Sequence, residues 1–136
     1  MKRRTYLKSV LTRASSLALA GRAVSNAAPG TAQKIQLHVD LSVDPAKEQE
    51  MLHNFKAIFR PAAAKQPGYI DVQMLKLNAA VRGAAPAGLN YRFVLTFTSE
   101  ELRQKWVASE THKKVWPTIE KTLSSTNYTV LLFHVA

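Results

Sequence analysis

The order of hydrophobic periodicities along the chain constrains its fold more than any single motif does. Apolar and polar residues alternate over residues 34–43 and 90–98, a pattern typical of strands with one buried face, and residues 69–78 form a similar segment. A helical pattern follows the first strand, another spans residues 99–123, and a last strand covers 128–135. The order β-α-β-β-α-β predicts an α+β, ferredoxin-like domain: a four-stranded antiparallel sheet with two helices on one face.

Local signals mark the boundaries of the first helix. Asp44 and Pro45 are typical of an N-cap and of the first helical position. The helix carries an apolar stripe formed by Met51, Leu52, Phe55, Ile58 and Phe59. Pro61 is expected to kink or end this helix, because proline lacks the N–H that an inner turn needs.

The second helical region has signals of a joint. Ser99 is predicted to cap its start, Ser109 to restart it, and Pro117 to kink it. The strand that follows, YTVLLFHV, is apolar at nearly every position, and such strands are usually covered on both faces. Because the helices cover one face of the sheet, we expect a second copy to cover the other, which makes a homodimer.

The charge of the chain is concentrated at its N-terminus. The formal net charge is +10, yet residues 1–27 hold six basic side chains and no acidic one. The other Lys and Arg residues are scattered, so we expect a solvated surface and no nucleic-acid partner. The absence of cysteine excludes disulfides, thiolate metal sites and cysteine nucleophiles. No apolar run reaches the roughly 18 residues of a membrane span.

Residues 1–27 are expected to be an export signal. The segment RRTYLK resembles the twin-arginine motif, and the small residues that end at Ala27 fit a cleavage site. We therefore expect a linker over residues 28–33, a domain over 34–136, and a periplasmic or secreted protein without stable membrane insertion. An organelle transit peptide and a disordered basic tail remain alternatives, because the segment is rich in Arg and Ser and free of acids.

The stretch WVASETHKKVWP carries the most informative side chains. On a helix, His112, Val115, Trp116 and Ile119 share one face, and Trp106 continues it. His112 therefore points inward, and two interpretations are open. It is either a core histidine with one hydrogen bond to the backbone, or an imidazole that deprotonates a bound phenol beside a large ring.

The element order, the stretch SEELRQKWVASETHKKVWPTIEKTL and the final YTVLLFHV together resemble the antibiotic biosynthesis monooxygenase family, whose members are dimeric α+β barrels. The resemblance covers about residues 34–136. It implies a pocket between sheet and helices, where many relatives oxidise quinols or polyphenols with O2 and neither metal nor flavin. On this basis Trp106 packs against the substrate ring, His112 is the base or proton shuttle, and no cofactor or metal is expected.

Other side chains are expected to contact the substrate. They are the aromatic residues of the first helix, the third strand and the second helical region, together with one histidine: Phe55, Phe59, Tyr91, Phe93, Trp116 and His38. His38 lies on the polar side of the first strand, as a second proton carrier or as a residue at the dimer contact. The first strand lacks the Asn that haem-degrading relatives use, and no histidine pair has metal-ligand spacing.

Two other functions remain open at the level of sequence. One is a non-enzymatic dimer that binds a small hydrophobic molecule. The other is a cyclase or isomerase, because the spacing of six between Trp106 and His112 is similar to the aromatic–histidine pair of the stress-responsive barrel proteins.

Overall fold

The computed structural model describes residues 33–136, so the predicted signal peptide, its cleavage site and the linker up to residue 32 lie outside the described residues. The four strands are β1 (Ile35–Leu41), β2 (Tyr69–Lys76), β3 (Tyr91–Phe97) and β4 (Thr129–His134). They form one antiparallel sheet in the order β2-β3-β1-β4. Together with the helices between the strands, this order confirms the predicted ferredoxin-like α+β fold.

The first helical region changes its geometry along its length. It begins with a 3-10 turn (Pro45–Lys47), continues as α1 (Glu48–Asn54), passes through a π-helical segment (Phe55–Phe59) and ends as α2 (Arg60–Ala63). The Asp44 carboxylate accepts a hydrogen bond from the Ala46 N–H at 2.9 Å, as the predicted N-cap requires. The helix does not end at Pro61 but continues to Ala63, and the proline follows directly after the π-helical turn.

The π-helical segment decides which side chains of this region face the core. Met51, Phe55, Phe59 and Ala63 are buried at a constant spacing of four. A straight α-helix would rotate such a set gradually around its axis, whereas the wider i→i+5 turn brings it back into line. Ile58 is consequently turned outward and is 39% exposed, so its predicted place in the apolar stripe is wrong.

Ser109 divides the second helical region. Helix α3 spans Glu100–Ala108 and α4 spans Glu110–Glu120. The backbone at Ser109 is extended, and its hydroxyl accepts a hydrogen bond from the His112 N–H at 3.2 Å. The Ser99 hydroxyl caps α3 in the same way, with the Leu102 N–H at 3.2 Å. Both predicted caps are therefore present, and α4 continues past Pro117 to its end.

The core lies between the helices and one face of the sheet, and β4 extends beyond it. Val130, Leu131, Leu132 and Phe133 are 44–49% exposed in the single chain. Val130 and Leu132 pair with Val39 and Leu37 of β1, on the helix side of the sheet, whereas Leu131 and Phe133 pair with His38 and Gln36 on the opposite side, here called the outer face. The last strand, predicted to need cover on both faces, thus has neither face fully covered by residues 33–136.

Candidate functional site

A cavity of about 220 Å³, partly open to solvent, lies between the sheet and the helices. Its floor is formed by apolar side chains of three neighbouring strands, namely Leu37, Val39, Phe93, Leu95 and Val130. Alternation along each strand places these side chains on the helix side of the sheet. The floor therefore offers hydrocarbon and one aromatic ring, and no polar side chain.

The helices and the chain before β4 provide the other walls. These walls carry aromatic and polar side chains: Phe59, Arg103, Trp106, Val107, His112, Trp116 and Tyr128. Every polar side chain of the cavity lies on these walls, opposite the apolar floor. A ring bound between them would contact hydrocarbon on one side and an imidazole on the other.

His112 lies between the two tryptophans. Its ring is edge-on to Trp106, with centroids 5.1 Å apart and planes at 88°, and nearly parallel to Trp116 at 6.3 Å and 13°. The Ser109 cap fixes the start of α4 and so places His112 in the first helical turn, where its side chain points toward the sheet. The predicted aromatic–histidine group is thus brought together at one wall of the cavity.

The surroundings of His112 favour the neutral form of its imidazole. Burial lowers the pKa of His112 below its ordinary value of 6.5, and the nearby positive charge of Arg103 lowers it further. Among residues 33–136, the hydrogen bond of His112 to a side chain runs from its backbone N–H, and its ring nitrogens have no partner. The backbone hydrogen bond expected of a core histidine is therefore missing from this part of the chain, and a ring nitrogen is free to accept a proton.

Hydrogen bonds hold the second tryptophan in place. The indole Nε1 of Trp116 donates to the Tyr128 hydroxyl at 3.1 Å, and that hydroxyl donates to Glu120 Oε2 at 2.7 Å. Burial, followed by the hydrogen bond to Glu120, raises the pKa of Tyr128, so the hydroxyl keeps its proton. The chain of contacts fixes the plane of Trp116 against His112. Tyr128 stood in the stretch that resembled the monooxygenase family, but its position at the cavity was not predicted.

Arg103 also lines the cavity, and its place there was not predicted from the sequence. Its Nε and Nη2 donate to the two carboxylate oxygens of Glu100, each at 2.6 Å. The side chain of Arg103 is only 16% exposed, and it reaches the cavity from α3. The spacing of three between Glu100 and Arg103 signals an ion pair on a helix surface. It does not show that the pair borders a cavity, because that depends on the packing of α4.

Three of the predicted substrate contacts lie outside this cavity. Phe55 packs behind it, with its ring centroid 6.3 Å from that of Phe59. Tyr91, at the start of β3, donates to Glu48 Oε2 at 2.6 Å. His38 lies on the outer face, where its Nε2 is 2.7 Å from Gln36 Oε1. The other five predicted residues, Phe59, Phe93, Trp106, His112 and Trp116, line the cavity.

Neither metal ligands nor a membrane helix were found in the part of the chain that the structure describes. Residues 33–136 contain no group of three or more His, Cys, Asp or Glu side chains placed to hold a metal ion. Within the same range, no helix is both long and apolar enough to cross a bilayer.

Comparison with known proteins gave structural but no sequence matches. No protein-family profile matches the chain, and no curated protein matches it. Among solved structures, a Bordetella bronchiseptica protein proposed to be an antibiotic biosynthesis monooxygenase has a TM-score of 0.61 at 13% identity, over 76% of this chain and 98% of its own. SnoaB, a cofactor-independent oxygenase from Streptomyces nogalater, has a TM-score of 0.60 at 14% identity, over 76% and 94%.

A third structure, a dimeric ferredoxin-like protein of unknown function from Jannaschia, has a TM-score of 0.60 at 14% identity, over 76% of this chain and 98% of its own. At such identities a likeness establishes the fold and no more. The described domain therefore has the ferredoxin-like α+β fold shared by structures of the antibiotic biosynthesis monooxygenase type.

Proposed function

We propose that this protein is a cofactor-independent monooxygenase that acts on a quinol, polyphenol or similar small aromatic molecule. The observation that carries the proposal is the position of His112, whose ring lies between two tryptophan rings at the wall of an apolar cavity. Burial there lowers its pKa and so favours the neutral form that can accept a proton. The fold supports the proposal, because SnoaB, a cofactor-independent oxygenase, has it too.

The reaction needs no reductant other than the substrate. A phenol or quinol with a free ring carbon loses its O–H proton to His112, and the electron-rich ring then reacts with O2. One C–O bond forms at the free carbon, the C–H bond there breaks, and the O–O bond is cleaved. A quinone and one molecule of water leave, so the substrate loses four electrons and the two oxygen atoms gain them.

The contribution of the protein is to bind, orient and deprotonate. The apolar floor and the tryptophans exclude water from the ring, which raises the effective strength of every charge in the cavity. His112 accepts the proton and returns it to the peroxide oxygen that leaves as water. Trp106, 2% exposed and edge-on to Phe59 at 5.8 Å, is a rigid surface against which a substrate ring can pack.

Oxygen uptake by the purified full-length chain tests this proposal. A series of hydroquinones, catechols and naphthols is supplied with a metal chelator present, and oxygen consumption is compared with quinone formation. We expect one O2 consumed for each quinone formed. Binding without oxygen uptake would instead indicate the ligand-binding dimer, and rearrangement of the ligand without oxygen uptake would indicate a cyclase or isomerase.

We also propose that the protein is a homodimer in which two outer faces pack together. Leu131 and Phe133 are 44% and 47% exposed on the outer face, beside the partly buried His38 and Gln36 of β1. A row of large apolar side chains on a sheet face is typical of a surface covered by protein. A second copy supplies the same surface by symmetry, and the related Jannaschia structure is dimeric.

Export through the twin-arginine route is a further proposal, supported by RRTYLK and by the acid-free basic segment around it. Changing Arg3→Lys together with Arg4→Lys should abolish export in a bacterial host. The measurement is the distribution of trimmed protein between cell fractions. Trimmed protein that is exported as before would contradict the proposal.

A further inference from the structure

Arg103 is a charged residue of the cavity to which the reaction proposed above assigns no role. Arg103 lines the cavity from α3, and its side chain is 16% exposed. Its positive charge is among the causes that lower the pKa of His112, so the field of the guanidinium reaches the site of proton transfer. A cation in this position opposes protonation of the base and attracts a negative charge on a bound molecule.

Glu100 occupies only one edge of the guanidinium. Of the five N–H donors of arginine, one on Nε and one on Nη2 are bonded to the Glu100 carboxylate. Within residues 33–136 no other acceptor bonds this side chain, which leaves both donors of Nη1 and one of Nη2. This second edge has the fork geometry that binds a carboxylate or other acidic oxygen.

The surroundings make such a contact selective. The cavity floor is hydrocarbon and phenyl, so a ligand anion finds no competing cation there. Attraction between an anion and a partly buried guanidinium is much stronger in such surroundings than in water. Glu100 neutralises part of the charge, which lowers the free-energy cost of the partly buried guanidinium when no ligand is bound. It still leaves donors for a ligand.

We propose that Arg103 is an anion-binding subsite, so that the cavity selects ring molecules that carry one acidic oxygen. That oxygen belongs either to an ionised phenol or enol or to a carboxylate. The inference deepens the proposed function, and rests on it only in assigning the bound molecule as substrate. It also explains how an ionised substrate would remain bound after His112 has taken its proton.

Calorimetric titration of the full-length chain with three matched two-ring ligands tests the subsite. The ligands are 2-naphthoate, which is an anion, 2-naphthalenemethanol, which is neutral, and 2-naphthol, which can ionise. The unmodified chain should bind 2-naphthoate or 2-naphthol more tightly than 2-naphthalenemethanol. Arg103→Gln should weaken that preferred binding roughly 10- to 100-fold, the effect of losing a hydrogen bond between charged groups, while the alcohol binds as before.

Two further variants keep the result interpretable. Lys105→Gln removes one positive charge from the exposed side of the same helix and should change no affinity. Glu100→Gln removes the carboxylate that competes for Arg103, so 2-naphthoate should bind more tightly, and this result remains available if Arg103→Gln fails to fold. If only the binding of 2-naphthoate depends on Arg103, the acidic oxygen belongs to a carboxylate. If only the binding of 2-naphthol depends on it, the oxygen belongs to an ionised phenol.

Equal binding of all three ligands, or an equal loss with Lys105→Gln, would overturn the subsite. The result is distinguishable from the outcome for the proposed reaction. Anion selectivity without oxygen uptake would support the subsite and contradict the monooxygenase. Oxygen uptake that Arg103→Gln leaves unchanged would support the monooxygenase and contradict the subsite.

Discussion

Within residues 33–136, two histidines lie against aromatic rings, one in the helical layer above the sheet and one on the outer face. His112 stands between Trp106 and Trp116 at the cavity wall. His38 is edge-on to Phe133 at 4.8 Å, with its Nε2 engaged by Gln36 and its Nδ1 buried without a partner among the described residues. The pKa of each is lowered, first by burial and then by an arginine, Arg103 for His112 and Arg92 for His38.

The difference between the two histidines is what each one faces. His112 faces the cavity, whereas His38 lies on the outer face of the sheet, away from the cavity. A nearby Asp40 also acts to raise the pKa of His38, and no carboxylate acts on His112. The proposed roles differ accordingly: proton transfer for His112 and a place in the dimer contact for His38.

The largest expected effect is on turnover. If His112 is the general base, His112→Ala should lower the rate of oxygen uptake roughly 10²–10⁴-fold. His38→Ala should leave the rate close to that of the unmodified chain, because the sheet separates its side chain from the cavity. The measurement is oxygen uptake per folded molecule, together with a thermal melt of each variant.

Loss of stability without loss of turnover would contradict the proposed role of His112. A loss of about 1–3 kcal/mol in stability with intact turnover for His112→Ala would make His112 a core residue. The exposed residue His53 on α1 provides a matched control, since His53→Ala removes an imidazole without touching either face.

The next largest effect is on assembly. Leu131→Asp places an unpaired carboxylate on the proposed dimer interface, which costs about 3–5 kcal/mol when the charge is buried. Association should therefore weaken roughly 10²–10⁴-fold by sedimentation analysis. Val81→Asp is the control, because this loop residue is 98% exposed. An unmodified chain that sediments as a monomer at micromolar concentration would contradict the dimer and separate the outer face from any role in assembly.

The smallest effect is on stability as a function of pH. Both histidines have a lowered pKa in the folded chain, so below about pH 6.5 the unfolded chain binds more protons than the folded one. Stability should therefore fall as the pH drops from 6.5 toward the folded pKa values, and His112→Gln or His38→Gln should each make that fall shallower.

Protein concentration sharpens this last test. The contribution of His38 to the pH dependence of stability should grow with protein concentration if a second copy covers the outer face, because burial in the dimer disfavours its protonation further. The contribution of His112 to this pH dependence should not change with protein concentration. Melting temperatures at several concentrations and pH values check both expectations, and equal behaviour of the two variants would count against the assignment of His38 to the interface.

Much of the fold could be predicted from local patterns. β1 and β3 follow from alternation and β4 from a continuous apolar run. The caps at Asp44, Ser99 and Ser109 follow from hydroxyl or carboxylate side chains that accept backbone N–H groups, and the inward face of α4 follows from helical spacing. A regular α-helix would place Ile58 in the apolar stripe, and only the packed structure shows the π-helical turn that rotates it outward.

The sequence by itself determined the element order, the buried faces of β1 and β3, and the pairing of His112 with its tryptophans. These depend on neighbours a few residues apart, and local periodicity records them. Only the tertiary structure decided which residues border the cavity. Phe93 and Tyr91 share one face of β3, yet Phe93 lines the cavity and Tyr91 binds Glu48. A cavity is the space that distant elements leave unfilled, so the place of Arg103 beside it depends on how α3 packs against α4 and the sheet, which no local pattern encodes.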